Sequence, residues 1–277
     1  MKKMPYRLVL VFKWTMMILI GLFMILPILV ALLNSFKTDG EIFRNIVAFP
    51  DQWSFDNYAQ SFKRTNYFRS LWNTVQLVLM SISGLVIFSA LAGYKLARTK
   101  TRLSKIIFSV FMLSMMIPFH SIMITLIKVA RDLNVQGSLW GLSLIYIGLG
   151  SPMAVFLYHG FSKGIPIEIE EAALIDGCNQ FQMFFKIVFP LLAPITSTIV
   201  ILNTLWIWND FLLPLLMLTN VNQHTILLTT QSFFGTYNSE WGKILATLIL
   251  AMLPVFVLYL LLQRFIIKGI SEGAIKS

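Results

Sequence analysis

The chain has 277 residues, of which 57% are hydrophobic and only 12% are charged. A soluble domain typically has about 25% charged residues, so this composition excludes an ordinary soluble protein and indicates a polytopic membrane protein. The net charge of +10 does not indicate nucleic-acid binding, because no basic stripe is interleaved with aromatic residues. In a membrane protein such a charge reflects Lys and Arg retained on the cytoplasmic side.

Six charge-poor segments are long enough to cross a bilayer as helices of about 20 residues. A seventh candidate, residues 211–239, contains so many amides and hydroxyls that we predict a loop with one or two short helices there. The predicted fold class is therefore all-α, a polytopic membrane protein with a transmembrane domain over residues 14–267. Its six transmembrane helices are expected at about 14–36, 70–94, 106–128, 139–161, 187–209 and 244–265.

Basic residues predict the orientation of these helices, because Lys and Arg are concentrated in cytoplasmic loops. They cluster in the N-terminal segment 1–13, in the short loop 94–105 and in the tail 268–277. Both termini are then cytoplasmic, and the first helix is retained rather than cleaved as a signal peptide. The predicted location is a bacterial plasma (inner) membrane, with a structured loop at residues 163–186 on the cytoplasmic face.

Residues 163–186 contain the signals of two short helices separated by a glycine. Pro166 suits a helix start, and acidic residues follow it where the helix dipole favours them. Gly177 is a natural helix stop. After it, an apolar stripe at helical spacing predicts a second helix: Phe181, Phe184, Phe185 and Val188.

The chain contains no recognisable catalytic, metal-binding or nucleotide-binding motif. Its three histidines lie at different predicted depths, and the single cysteine, Cys178, cannot form an internal disulfide. Within the spans, Asp210 is the best candidate for an ion-coupling carboxylate, and it lies at an outer edge. We therefore expect that the energy for any transport comes from another chain.

Residues 171–190 then match a known pattern. Glu171-Ala172-Ala173, three residues, Gly177, nine residues and Ile187-Val188-Phe189-Pro190 resemble the EAA loop of ATP-binding-cassette (ABC) importer permeases, with Phe189 where the family has Leu. The resemblance covers essentially the whole chain and is closest to the maltose-type, carbohydrate branch. That branch is indicated by Asp176-Gly177, the phenylalanines before Ile187, Trp208-Asn209-Asp210, Asn57-Tyr58 and the closing Gln263-Arg264-Phe265 with Lys268-Gly269 and Gly273-Ala274.

The resemblance implies a type I ABC importer permease fold, and a coupling loop that meets an ATPase. The implied partners are a second homologous permease in a heterodimer, two ATPase subunits and an extracellular or periplasmic sugar-binding protein that faces the outer loop, residues 218–243. ATP and magnesium would lie on the ATPases, with no cofactor on this chain, and the substrate-binding residues stay unassigned. The implied ATPase-interface residues are Glu170, Glu171, Ala172, Ala173, Asp176 and Gly177, and the implied packing residues are Phe181, Phe184, Phe185, Ile187 and Pro190.

Two alternatives stay open at this point. The first is an importer permease for a non-sugar solute such as an amino acid, phosphate or a polyamine. The second, more remote, is a secondary carrier or an intramembrane enzyme, which would show ion-gradient dependence or activity in the isolated chain.

Overall fold

The computed structural model describes residues 6–235 and 239–274, and this part of the chain is almost entirely helical. The ends of the predicted N-terminal segment and tail lie outside the described residues, as do the side chains of Gln263, Arg264 and Phe265. The helices are α1 Tyr6–Asn34, α2 Asp39–Arg44, α3 Asp56–Arg64, α4 Tyr67–Arg98, α5 Arg102–Ser114, α6 Phe119–Asp132, α7 Leu139–Lys163, α8 Ile167–Ile175, α9 Gln180–Met183, a π-helical turn Phe184–Val188, α10 Phe189–Leu191, α11 Ala193–Trp208, α12 Leu212–Met217, 3₁₀ turns Val221–Gln223 and Leu228–Phe233, and α13 Trp241–Ala274.

Three of the described helices, α1, α4 and α7, are each long and apolar enough to cross a membrane. Two further crossings are possible where a bent pair acts as one span, namely α5 with α6 and the segment Gln180–Leu191 with α11. A shorter apolar stretch occupies Trp241–Val257 in α13. The all-helical class is confirmed, and the count of six spans stays a prediction.

The predicted third span, residues 106–128, is divided into α5 and α6, whose axes differ in direction by 106°. The break ends at Pro118, which lacks an N–H and disfavours helical geometry in the preceding residue. Around the predicted fifth span, helical structure begins at Gln180 and bends by 73° before α11. Pro194 lies in the first turn of α11, where a proline costs no backbone hydrogen bond.

The chain divides into two compact units, the first formed by residues 1–67 and 230–253. In this unit α1 ends against a buried lysine, Lys37, whose Nζ donates to Asn34 Oδ1 at 3.0 Å and to the Asn45 carbonyl at 3.1 Å. The Asn57 amide donates to the carbonyls of Ser35 and Lys37 at 2.9 and 2.8 Å. These contacts order the segment that follows α1, while most side chains of α1 itself are apolar and exposed, as a lipid-facing helix requires.

The second unit comprises residues 68–229 and 254–277, and its core lies between α4, α7 and α11. Along α4 one residue or two adjacent residues are buried every three to four positions, from Ser70 to Gly93, so a single face of the helix is covered over most of its length. At Gly93 the backbone of α7 approaches so closely that an added Cβ would lie 2.6 Å from the Tyr158 Cβ. Large buried side chains from the partner helices, such as Tyr146 and Ile199, complete the packing.

The rejected seventh candidate forms short elements in place of a span. Over residues 211–235 the structure contains α12 and two 3₁₀ turns. Many of its polar groups are held by other parts of the protein, which an isolated helix in lipid would not allow.

Candidate coupling interface

The predicted coupling loop folds as two short helices joined by a sharp turn. α8 begins directly after Pro166, with Glu168 and Glu170 in its first turn. α9 begins with a capping box, in which the backbone N–H groups of Asn179 and Gln182 each donate to the other residue's side chain, at 3.0 and 2.9 Å. The start of each helix therefore follows from local sequence.

Gly177 makes the turn between the two helices. The Cys178 N–H donates to the Ala173 carbonyl at 3.0 Å, and the Gly177 N–H donates to the Leu174 carbonyl at 3.1 Å, which is the Schellman pattern of a helix end. This pattern requires a left-handed residue, and Gly177 has φ +85°. A Cβ at this position would meet nothing within 4 Å, so the requirement for glycine is conformational rather than steric.

The predicted ATPase-interface residues divide into an exposed and a buried set. Glu171, Ala172, Asp176 and Gly177 are exposed, so they are accessible to another chain. Ala173 and Glu170 are buried. For these two residues, contact with an ATPase stays a prediction, and the structure gives them contacts inside the chain.

Glu170 pairs with Arg98 at the end of α4. The Arg98 Nη2 and Nε donate to Glu170 Oε1 at 2.6 and 2.8 Å, and little of either side chain is exposed. In the sequence, Arg98 is one of several basic residues of the loop 94–105 that predict the orientation. The two residues are 72 positions apart, so no local pattern identifies the pair.

The aromatic residues after Gly177 do not form one buried stripe. Phe184 and Val188 are buried, whereas Phe181 is 72% exposed and Phe185 is 45% exposed. Phe181 lies in α9, before the π-helical turn, and within that turn Phe184 and Val188 are buried whereas Phe185 is not. Of the other two predicted packing residues, Ile187 is partly buried and Pro190 is exposed.

A cleft of about 630 Å³ opens between the end of α4 and the two short helices. Its lining combines apolar side chains, such as Leu174 and Phe181, with Lys95 and Glu171. The cleft therefore offers a mixed apolar and charged surface next to the exposed face of α8. Among the described residues, no group of three or more His, Cys, Asp or Glu is arranged to hold a metal ion.

At the other end of α11, Asp210 has a structural role. Its Oδ1 accepts from the backbone N–H groups of Leu212 and Leu213 at 2.9 and 3.4 Å, and its Oδ2 accepts from the Tyr146 hydroxyl at 2.9 Å. These contacts satisfy the first two backbone N–H groups of α12 and connect the helix to α7. They account structurally for an acidic residue at position 210.

The opposite end of α4 holds residues 222–226, which lie in the predicted outer loop. The Asn73 amide donates to the carbonyls of Asn222 and His224 at 2.8 and 3.0 Å, and the Ile226 N–H donates to the Thr74 hydroxyl at 2.9 Å. Burial lowers the pKa of His224 below its ordinary value, so this side chain stays neutral at pH 7. The sequence identified this loop, but not the helix that holds it.

The all-helical fold and the helix–glycine–helix loop define a membrane transport component. The chain belongs to the family described as the binding-protein-dependent transport system inner membrane component, whose model matches residues 85–272. The predicted resemblance is thereby confirmed, and the chain is a multi-pass transport subunit rather than an enzyme.

Relatives match along nearly the whole chain. The probable starch degradation products transport system permease protein AmyC of Thermoanaerobacterium thermosulfurigenes is 40% identical, over 94% of this chain and 94% of its own length. The melibiose/raffinose/stachyose import permease protein MelC of Bacillus subtilis is 36% identical, over 91% of each chain. A chain from the crystal structure of a bacterial ABC transporter involved in alginate import has the same fold, with a TM-score of 0.80, 18% identity and coverage of 95% of this chain and 98% of that one.

Proposed function

We propose that the chain is the permease subunit of an ATP-driven importer that translocates a sugar, most simply an oligosaccharide, across the bacterial plasma membrane. The observation that carries the proposal is the exposed surface of α8, which ends at a glycine in a left-handed conformation. Relatives named for starch products and for melibiose, raffinose and stachyose support a sugar as the substrate class.

The proposed complex contains a second, homologous permease, two ATPases and an external sugar-binding protein. ATP and magnesium bind the ATPases, because this chain contains no nucleotide-binding motif. α8 docks on an ATPase, where the small Ala172 allows close backbone approach and Glu171 meets a cationic group. ATP-driven closure of the ATPases then moves α8 together with the spans and converts an inward-open permease to an outward-open one.

The proposed orientation places α8 in the cytoplasm and the 219–226 loop outside. In a chain carrying Cys178→Ser, we expect Val221→Cys to react with a membrane-impermeant maleimide added to intact cells, since Val221 is 71% exposed. The matched variant Ile175→Cys, at a position 86% exposed, should react only after the cells are permeabilised. Labelling of Ile175→Cys in intact cells would contradict the orientation.

Charge reversal on α8 tests the coupling role. We expect Glu171→Lys to insert normally and to reduce sugar uptake by at least about tenfold, because a like charge placed against a cationic partner costs several kcal/mol. Uptake is measured in proteoliposomes that contain the reconstituted complex, internal ATP and external binding protein.

Glu168→Lys is the control for this experiment, since Glu168 is also an exposed carboxylate on the same helix but lies outside the EAA pattern. Its uptake should remain within about twofold of the wild type, because an exposed charge away from the interface contributes little. Equal uptake by Glu171→Lys and the wild type would refute the coupling role. ATP-dependent uptake of amino acids, phosphate or polyamines in place of oligosaccharides would refute the sugar assignment.

A further inference from the structure

The attachment of α8 to the rest of the second unit depends on very few side chains. Of its nine residues, only Glu170 and Ala173 are buried. Ala173 has a small side chain, so apolar packing alone provides little to fix the direction of the helix. Glu170 is therefore the main side chain that orients α8.

Both carboxylate oxygens of Glu170 are held by α4. Arg98 binds Oε1, and the Tyr94 hydroxyl, one helical turn earlier, donates to Oε2 at 2.7 Å. The Arg98 Nη2 also donates to the Ile165 carbonyl at 2.8 Å, immediately before α8 begins. The end of α4 therefore binds both the residues that lead into α8 and the first turn of α8. Hydrogen bonds to a charged group are strong and specific in geometry, so they fix the direction of α8 relative to α4.

The same helix holds the outer loop at its other end. Asn73 and Thr74 make the contacts to residues 222–226 described above, and the Arg69 guanidinium donates to the Asn222 side chain. α4 has 32 residues without an internal break, which corresponds to a length of about 48 Å. Its buried face runs between the two sets of contacts.

We infer that α4 is the helix that connects the outer loop to α8, and that Arg98 is the positioning residue that joins α4 to α8 through Glu170. This inference rests on the proposed function, because it assigns a path between the loop that faces the binding protein and the helix that meets the ATPase. When the outer loop shifts on contact with a loaded binding protein, α4 moves with it, and the paired carboxylate carries α8 along. The buried Arg98–Glu170 pair fixes the direction of α8 and adds little net stability, because the loss of hydration of both charges offsets their attraction.

The joint between α4 and α8 is tested first in the full chain in lipid nanodiscs, by amide hydrogen exchange. We expect Arg98→Gln to raise exchange in residues 167–176 by at least about tenfold, because α8 loses its main attachment, while α5 stays unchanged. Arg102→Gln is the control, since it removes an exposed basic residue four positions later. Exchange in α8 that is equal in both variants would overturn the joint, and this measurement does not depend on any transport activity.

The connection is tested in the assembled complex by the ratio of ATP hydrolysis with and without sugar-loaded binding protein. We expect Arg98→Gln at one end of α4, and Asn73→Leu at the other, each to lower this ratio severalfold per assembled complex while hydrolysis without binding protein is retained. A purely structural role would reduce the amount of complex and leave the ratio per complex unchanged. A wild-type ratio in either variant would overturn the inference, whereas an unstimulated wild-type complex would count against the proposed function.

Tyr94→Phe is the second variant for the case in which Arg98→Gln fails to fold. It removes one donor to Glu170 and retains the ring that packs against Phe184 at a centroid distance of 5.2 Å. We expect its ratio to lie below that of the wild type, because Glu170 retains only the contacts from Arg98. An unchanged ratio and unchanged exchange in α8 would contradict the role of the joint.

Discussion

Gly177→Val is expected to abolish sugar uptake while the chain still inserts into the membrane. A valine at φ +85° is a strong outlier, because a β-branched side chain is very rarely tolerated in the left-handed region. Relief of the strain requires the turn to open, which breaks the hydrogen bonds from Gly177 and Cys178 to the end of α8. α8 then no longer has a fixed direction relative to α9. The measurement is ATP-driven uptake by the reconstituted complex, with loss of at least about a hundredfold expected if docking fails.

Gly177→Asn is the matched control at the same position. Asparagine adds a side chain of comparable volume but adopts the left-handed conformation several times more often than most residues. Because a Cβ here meets nothing within 4 Å inside the chain, the two variants differ mainly in backbone preference. Gly177→Asn should retain much of the uptake. Equal loss in both variants would instead indicate that the ATPase excludes any side chain at this position.

The helix ends around Gly177 could be predicted from sequence because their causes are local. Pro166, the acidic first turn and Gly177 act within a few residues of their own backbone, so pattern and spacing suffice. The same holds for the apolar spans α1, α4 and α7, whose length and composition are sequence properties. These local signals are therefore sufficient to predict the helices that carry the exposed residues of the candidate interface.

The internal contacts of the site could not be predicted in this way. Glu170 lies among exposed carboxylates in sequence, and only tertiary structure shows that Arg98 and Tyr94 bury it. Helical spacing places Phe181 and Phe185 on one face with Phe184 and Val188, and only the tertiary structure shows that the first two are exposed. The 106° bend between α5 and α6 has a local signal in Pro118, but a proline in a membrane helix is compatible with a continuous span.

Gly93→Val is expected to destabilise the folded chain, because α4 and α7 approach each other closely at Gly93. A Cβ at residue 93 would lie 2.6 Å from the Tyr158 Cβ, 2.9 Å from the His159 backbone nitrogen and 3.0 Å from the Val155 carbonyl oxygen. None of these atoms is the end of a flexible side chain, so α4 and α7 must separate. Overpacking of this kind typically costs about 1–3 kcal/mol, and more when backbones must move. We expect the melting temperature of the full chain in nanodiscs to fall by roughly 3–10 °C.

Gly160→Val makes this prediction specific to the contact, because it adds the same side chain to α7 at a position where a new Cβ meets nothing within 4 Å. Its melting temperature should stay within about 2 °C of the wild type, since an exposed helical substitution changes stability by only a few tenths of a kcal/mol. If Gly93→Val does not accumulate in the membrane, normal accumulation of Gly160→Val still supports the close contact. A Gly93→Val chain that melts like the wild type would show that α4 and α7 do not approach as described. It would also weaken α4 as a connecting helix, because a helix transmits displacement only where its packing holds it in one position.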